Sequence, residues 1–389
     1  MSCYISSNEN RFYAGLESSY GNVASVTSAN RFSAVSLTAR QKTDVAVRKD
    51  KTGSRTYMGL AAMPRKKTDF EVKTYMTGWA GGTTGPAYGP LFQGALGATP
   101  ITNGAGTVDV VTSGSHLHFT TPHQLTIGQA LRFGGEIRFV SAIADPRSIV
   151  VNAPFTVPPT SGAAMGTAIT YRPATDTPSV SIFDYWDPSA VQRVISGAAV
   201  NKLKINVNAD YHEFTFSGGA QDLIDNASFS AGQGALSAFP PEPVLSEFNY
   251  SVIPGHLGQV WLGTSPNQFL TLTKADIELD NGMDLRAREF GSATPRCIAP
   301  GQRSVTMNFS LYEQDDAATQ GLYQAARQRS PISVMFQLGQ QAGQLAGIHI
   351  PNVIPELPEF DDSEVRLQWK FSASRAQGTV DDEIYVAFA

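Results

Sequence analysis

Cysteine is almost absent from this chain. Its 389 residues hold two, Cys3 and Cys297, far apart and outside any CxxC spacing, which excludes a disulfide framework and a cysteine zinc site and leaves both as thiols. Charge is also scarce. Charged residues make up 16% against roughly 25% in ordinary soluble domains, so much of the surface is neutral polar or apolar, as suits a protein covered by copies of itself. No apolar run approaches the roughly 20 residues of a membrane-spanning helix. The opening Met1–Asn10 has neither a basic start nor an apolar core, so no leader is expected and the chain reads as made and kept in a cytoplasm-like compartment. A net charge of −5 argues against general nucleic-acid affinity, which needs a basic face, so contact with DNA is expected to be weak. The GxSxG, P-loop, HExxH and GxGxxG signatures are all missing, and Gly81-Gly82-Thr83-Thr84-Gly85-Pro86 lacks the lysine of a phosphate cradle and reads as a loop.

Turn formers and alternating segments are plentiful. With 35 glycines, 23 prolines and 42% hydrophobic residues, the composition predicts an all-β protein with minor α, built from short strands and many turns. Three elements recur in the same order in both halves. Phe32–Ala39 is matched by Phe269–Asp276, and each is followed by a charged stretch and a run of period two, Asp69–Tyr75 and Ser304–Tyr312. A small-residue helix candidate follows in each half, Leu91–Leu96 and Leu322–Arg327. Ala199–Leu203 then leads to His212–Ser217 as Asn352–Glu356 leads to Val365–Phe371. The pattern predicts a duplicated β unit.

The expected boundaries place the first part of unit 1 at residues 1–99 and its remainder at 174–227, with unit 2 at 246–389. Between the parts of unit 1 lies an insert over 100–173, rich in Gly, Thr, Val and Ala. Its strand candidates Leu117–Phe119, Ala130–Phe133, Glu136–Val140 and Ser148–Val151, with Gly134-Gly135 as a hairpin turn, suit a small barrel. Residues 228–245 end in Phe239-Pro240-Pro241-Glu242-Pro243 and read as a partly stiff linker.

Charge is segregated along the chain. From Lys42 to Lys73 the local sum is +5, including Arg48, Lys49, Lys51, Arg55, Arg65, Lys66 and Lys67. From Glu356 to Glu383 it is −5, including Asp361, Asp362, Glu364, Asp381, Asp382 and Glu383. Such patches either pair between stacked copies or remain solvated loops.

Few residues suggest chemistry. His116 and His118 share a strand face near His123, but no carboxylate or cysteine at ligand spacing completes a metal set, and polar strand positions are the simpler reading. The acidic groups at Asp361–Glu364 and Asp381–Glu383 lack an EF-hand pattern, and as a glycosidase pair they have no fixed spacing across a sugar. Trp186, Trp261 and Trp369 suit either sugar stacking or a core. No catalytic, cofactor or metal residue is assigned.

The opening Phe12-Tyr13-Ala14-Gly15-Leu16-Glu17-Ser18-Ser19-Tyr20-Gly21 resembles the start of tail tube proteins of long-tailed bacteriophages. Ala199–Val207 followed by Phe214–Gly218 is similar to that family's paired strands. The resemblance implies two similar β-sandwich or partial-barrel units, each with a short flanking helix, and the insert as an outward decoration. It further implies trimers forming pseudo-hexameric rings that stack into a tube for DNA, with an acidic lumen. Lys42–Thr68 and Asp280–Gln302 are then the loops that meet the next ring, and the basic and acidic residues named above become inter-ring contacts. Implied partners are the chain itself, tape measure, terminator and distal tail proteins and, weakly, passing DNA; the location is the virion after assembly in the host cytoplasm. Two alternatives remain open: a carbohydrate-binding or adhesion module using exposed Trp and Tyr, and a glycan hydrolase using Asp361 and Asp362.

Overall fold

Alternation of apolar and polar residues turns most of the chain into strands. In the computed structural model, which describes residues 4–45, 50–56, 59, 64–79, 85–104, 106–186, 191–244, 251–285 and 289–389, every strand pairing is antiparallel. The first half runs β1 (Arg11–Leu16), β2 (Arg31–Phe32), β3 (Ser36–Asp44), β4 (Arg65–Tyr75) and α1 (Gly89–Leu96). An insert follows: β5 (Ile101–Asn103), β6 (Val108–Ser113), β7 (His116–Phe119), β8 (Ala130–Phe133), β9 (Glu136–Asp145), β10 (Ser148–Val151) and β11 (Ala168–Tyr171). The first half then ends in β12 (Val180–Tyr185), β13 (Arg193–Val207), β14 (Glu213–Ala220) and β15 (Asp222–Asp225). The second half contains β16 (Gly258–Gly263), β17 (Asn267–Gln268), β18 (Leu272–Asp280), β19 (Asp284–Leu285), β20 (Ile298–Ala299) and β21 (Ser304–Tyr312). After α2 (Ala317–Gln328) come β22 (Ile332–Leu338), β23 (Ala346–Ile354), β24 (Glu359–Asp361), β25 (Gln368–Ala376) and β26 (Tyr385–Phe388).

One pairing scheme occurs twice. In the first unit the ladder runs β3, β4, β14, β13, β12, β1, β2, with β15 also on β13. In the second it runs β18, β21, β25, β23, β22, β16, β17, with β26 also on β23. Each unit carries its helix between the same two strands of this scheme. The burial of β4 and β21 alternates, with Phe70, Val72 and Thr74 inward in one and Val305, Met307, Phe309 and Leu311 inward in the other, as a half-buried strand requires.

Both units share a core. Leu91, Phe92, Ala95 and Leu96 of α1 are fully buried, and the Phe92 ring meets Phe214, Phe216 and the second unit's Phe388 at 5.1, 5.0 and 5.1 Å. Gly94 lets α1 approach the sheet, since a Cβ there would stand 2.7 Å from the Val180 side chain. On α2 the Asp316 carboxylate accepts from the Thr319 N–H at 2.7 Å, an N-cap, and Arg329 closes the helix in the left-handed region at φ 52°.

The insert has its own core of Leu117, Phe119, Leu131, Val140, Ile149 and Phe155, among others. Its sheet runs β6, β7, β10, β9, β8, and bridges from Ala164 to Thr107 and from Gly166 to Arg132 link its two margins. Gly134 at φ 56° makes the β8–β9 turn. The insert packs firmly on the second unit. Ile137 and Phe139 join Trp261, Met335 and Tyr385 in a buried cluster, and Gly347 makes room, because a Cβ there would meet the Phe139 ring at 2.9 Å. Arg138, fully buried, donates to Gln337 Oε1 at 2.9 Å, Gln259 Oε1 at 2.8 Å, Glu136 Oε2 at 2.7 Å and the Pro154 carbonyl at 3.1 Å. Burial lowers its pKa to about 10, and its hydrogen bonds satisfy the guanidinium that burial desolvates.

Residues 228–244 lie back along the first unit. Glu242 accepts from Arg11 Nη2 at 2.8 Å and from the Tyr13 hydroxyl at 3.0 Å, and the Tyr185 hydroxyl donates to the Pro240 carbonyl at 3.1 Å.

Glu17 is the most heavily bonded carboxylate near the N-terminus. Only 8% exposed, it accepts from Gly21 N–H (2.7 Å), Ser179 Oγ (2.6 Å), Ser181 Oγ (2.7 Å) and Gly197 N–H (2.7 Å). It ties the loop after β1 to β12 and β13. Removing it strands four buried donors, so Glu17→Ala is expected to lower unfolding stability by about 3 kcal/mol, read as a fall in the urea midpoint of dilute protein; an unchanged midpoint would refute that role.

His349 generates an acid sensitivity. Its ring stacks on Phe139 at 5.4 Å and donates from Nδ1 to the Val334 carbonyl at 3.1 Å. Burial pushes its pKa down from 6.5 to about 4, so the unfolded chain binds a proton that the folded one refuses. Stability is then complete above pH 6.5 and declines towards pH 4, by about 3 kcal/mol from this residue. Denaturation midpoints measured from pH 7 to 4 are expected to fall less steeply in His349→Phe than in the parent; parallel curves would contradict this assignment.

Candidate assembly edges

The two units are joined by a backbone ladder. β13 spans 15 residues because it serves several partners, and its C-terminal part carries β14 on one edge and β18 of the second unit on the other. In that second ladder Lys202 faces Asp280, Leu203 faces Leu279, Lys204 faces Glu278, Ile205 faces Ile277, Asn206 faces Asp276 and Val207 faces Ala275. The inward face is apolar, with Leu203, Ile205, Ile277 and Leu279 each 1% exposed.

The outward face is a charge ladder. Lys202 Nζ lies 2.9 Å from Glu278 and 2.8 Å from Asp280, and Lys204 Nζ lies 3.1 Å from Glu278. Hydrogen bonds to Asp280 and Glu278 push Lys202 up to about 12. Burial alone would raise both carboxyls, but the lysines hold Glu278 and Asp280 below the usual range. Asn281 adds a clamp, donating from Nδ2 to Ala95 O at 2.8 Å and Val200 O at 3.1 Å. Sequence reasoning passed over these residues, although bases two apart at Lys202 and Lys204 and acids two apart at Glu278 and Asp280 are the mark of one strand face.

Among the strands that pair on one side only in the described residues, two occupy the places that β18 and β13 fill in the internal ladder. β3 pairs only with β4, and β24 only with β25. They are the outer edges of the first and second units.

The charged residues expected at ring contacts are placed as follows. Arg48 and Lys49 lie outside the described residues. Lys51 and Arg55 are exposed in the segment 50–56. Arg65, Lys66 and Lys67 start β4, where Lys66 approaches Asp222 and Lys67 approaches Asp69, each at 3.6 Å. The Lys66 N–H donates to the Ala293 carbonyl at 2.7 Å, so the described parts of the two proposed stacking loops touch. Asp361 on β24 bonds Lys370, which with Ser363 holds its carboxyl well below the usual range. Asp362 and Glu364 are exposed beyond it. Asp381 and Glu383 both engage Arg303, at 3.0 and 3.2 Å, and Asp382 accepts from Thr379 N–H and Oγ1 at 2.6 and 2.7 Å.

Of the histidines considered for chemistry, His116 is exposed and His118 Nδ1 lies 3.6 Å from the Asp109 carboxylate. His123 accepts from Leu125 N–H at 2.9 Å and lies 3.2 Å from the Asp145 carbonyl. Among the described residues no three His, Cys, Asp or Glu gather in a metal-binding arrangement. Trp261 and Trp369 are buried, the first against Arg138 and the second beside Tyr323 and Phe371, while Trp186 is half-buried. That removes two of the three indoles a sugar-stacking surface needs. No described helix is long and apolar enough to cross a membrane.

No curated protein matches the chain. Residues 7–387, nearly its whole length and both duplicated units together, match the family described as phage tail tube protein, and the chain belongs to that family.

Proposed function

We propose that this protein is a structural subunit whose copies close into rings of six β units, three chains to a ring, and that the rings stack into the tail tube through which DNA passes. The observation that carries this reading is the ladder between β13 and β18. One chain already holds two like units side by side, edge to edge, and among the described residues the equivalent edges at β3 and β24 pair on one side only. A head-to-tail contact of this kind generates a closed ring whenever the rotation between units divides a full turn.

The chemistry of the bore and the stacking faces follows from charge. A net charge of −5 per chain disfavours adhesion of DNA phosphates to the wall. The basic β3–β4 hairpin, with Arg65, Lys66 and Lys67 and the exposed Lys51 and Arg55, is placed at one ring face. Asp362 and Glu364, unlike the Arg303-bound Asp381 and Glu383, are exposed and available to receive it. A finite tube also needs contacts at its ends and along its bore, so terminator, distal tail and tape measure proteins are the proposed partners, and the virion tail is the proposed location. A catalytic role has no support in the geometry: Asp361, held ionised by Lys370, is unsuited to serve as a general acid.

Negative-stain microscopy and light scattering of purified protein, over a range of concentration and salt, test the reading. Hollow stacked rings are expected. Raising salt from about 0.1 M to about 1 M should shorten stacks while rings persist, because screening weakens surface ion pairs far more than backbone ladders. A species that stays dispersed as monomer under every condition would overturn the proposal.

A further inference from the structure

Resting on that reading, we propose that the contact between chains is an antiparallel ladder of β3 from one copy on the Leu357–Asp362 edge of the next, in the register of the ladder inside the chain but with its charges exchanged. The register follows from the duplication. Ile205 lies opposite Phe214, which lies opposite Thr74; Phe360 lies opposite Trp369, which lies opposite Leu311. Phe360 therefore holds the place of Ile205. On the other side, Leu37 lies opposite Val72 and Ala39 opposite Phe70, as Ala275 lies opposite Phe309 and Ile277 opposite Met307. Ala39 therefore holds the place of Ile277.

Carrying the internal ladder over puts Ala39 opposite Phe360, Arg40 opposite Glu359, Thr38 opposite Asp361 and Lys42 opposite Leu357 of the next copy. Three observations agree with this. First, exposure differs between the duplicated positions as a missing neighbour requires. Ile205, Ala275, Ile277 and Leu279 are buried, whereas Leu37, Ala39 and Gln41 are half-buried and Phe360 is 58% exposed. Phe360 still lies on the core side, 5.6 Å from the Trp369 ring and 6.2 Å from Tyr323, with its outer flank open.

Second, size is compensated. Inside the chain the opposed pair is Ile205 with Ile277; between chains it becomes Phe360 with Ala39, a large residue against a small one, which fills a similar space. Third, the charges are exchanged. Inside, lysines on the β13 edge meet acids on β18. Between chains, Glu359 directly faces Arg40, with Asp361 and Lys42 diagonal to that pair on the same outward face. An outer edge approaching another of its own kind therefore finds like charge, β3 against β3 being basic and β24 against β24 acidic, so only head-to-tail closure is favoured. Pro358 at the place of Leu203 offers no N–H, and the ladder's donors on that edge are concentrated at Glu359–Asp362.

Charge exchange and cross-linking test the proposal. Arg40→Glu and Glu359→Arg, both at exposed positions, are each expected to reduce the assembled fraction at least tenfold, and the double variant to restore it. In a Cys3→Ser, Cys297→Ser background, Ala39→Cys with Phe360→Cys should give an oxidised ladder on a non-reducing gel that ends at the closed ring, since directly opposed Cβ atoms lie about 5 Å apart. Assembly of both single variants at the parent's level, with no cross-link, would overturn these edges while leaving the tube reading intact. Failure of the parent to assemble at all would instead remove the reading on which they rest. Thermal midpoints of the variants guard against misfolding as the cause; if the single variants unfold early, the cross-link alone decides.

Discussion

A strand at the margin of a sheet carries a row of backbone N–H and C=O groups that must find partners in water or in another strand. In this chain one such margin lies against another with the same pairing scheme behind it, in the ladder of β13 with β18. The rest of the molecule is organised by it. The two units share a core because β13 reaches past its own sheet, and α1 meets Phe388 across the boundary. Asn281, at the end of β18, then ties the second unit to the end of α1 and to β13.

The insert breaks the equivalence of the two units. It leaves the first unit after α1, returns before β12, and fastens to the second unit through Arg138, Phe139 and the pairing of β11 with β26. A buried guanidinium is an expensive fastener unless its donors are used, and here the acceptors are the insert's own backbone and Glu136 carboxylate and Gln337 and Gln259 of the second unit. The insert thereby adds a further connection between the halves.

The architecture was legible in the sequence to the extent that period-two alternation and helix-sized apolar stretches recur. Asp69–Tyr75 and Ser304–Tyr312 announce β4 and β21, and Leu91–Leu96 with Leu322–Arg327 fall within α1 and α2. The matching of β1 with β16 and of β12 with β22 was not legible. Val180–Tyr185 is buried throughout, and a continuous apolar run carries no periodicity to compare. Ion pairs across the internal ladder were equally hidden, because they join residues more than 70 positions apart. The family start around Glu17 was visible as a motif, but its reason, a carboxylate gathering donors from β12 and β13, exists only once those strands have folded.

The contrast between equivalent edges explains why they diverged. β13 is long, continuous and apolar on its inner face, and it can be so because β18 covers it as soon as one chain folds. The matching edge of the second unit is interrupted at Pro355 and Pro358 and carries three acids, and β3 replaces Ile and Leu with Ala39 and Gln41. These edges face water in the single chain. Proline and charge are the usual means by which a sheet margin resists indiscriminate pairing. Here those charges are of opposite sign on the two edges, so under the proposed closure protection of the single chain and choice of partner would be one property of the edge.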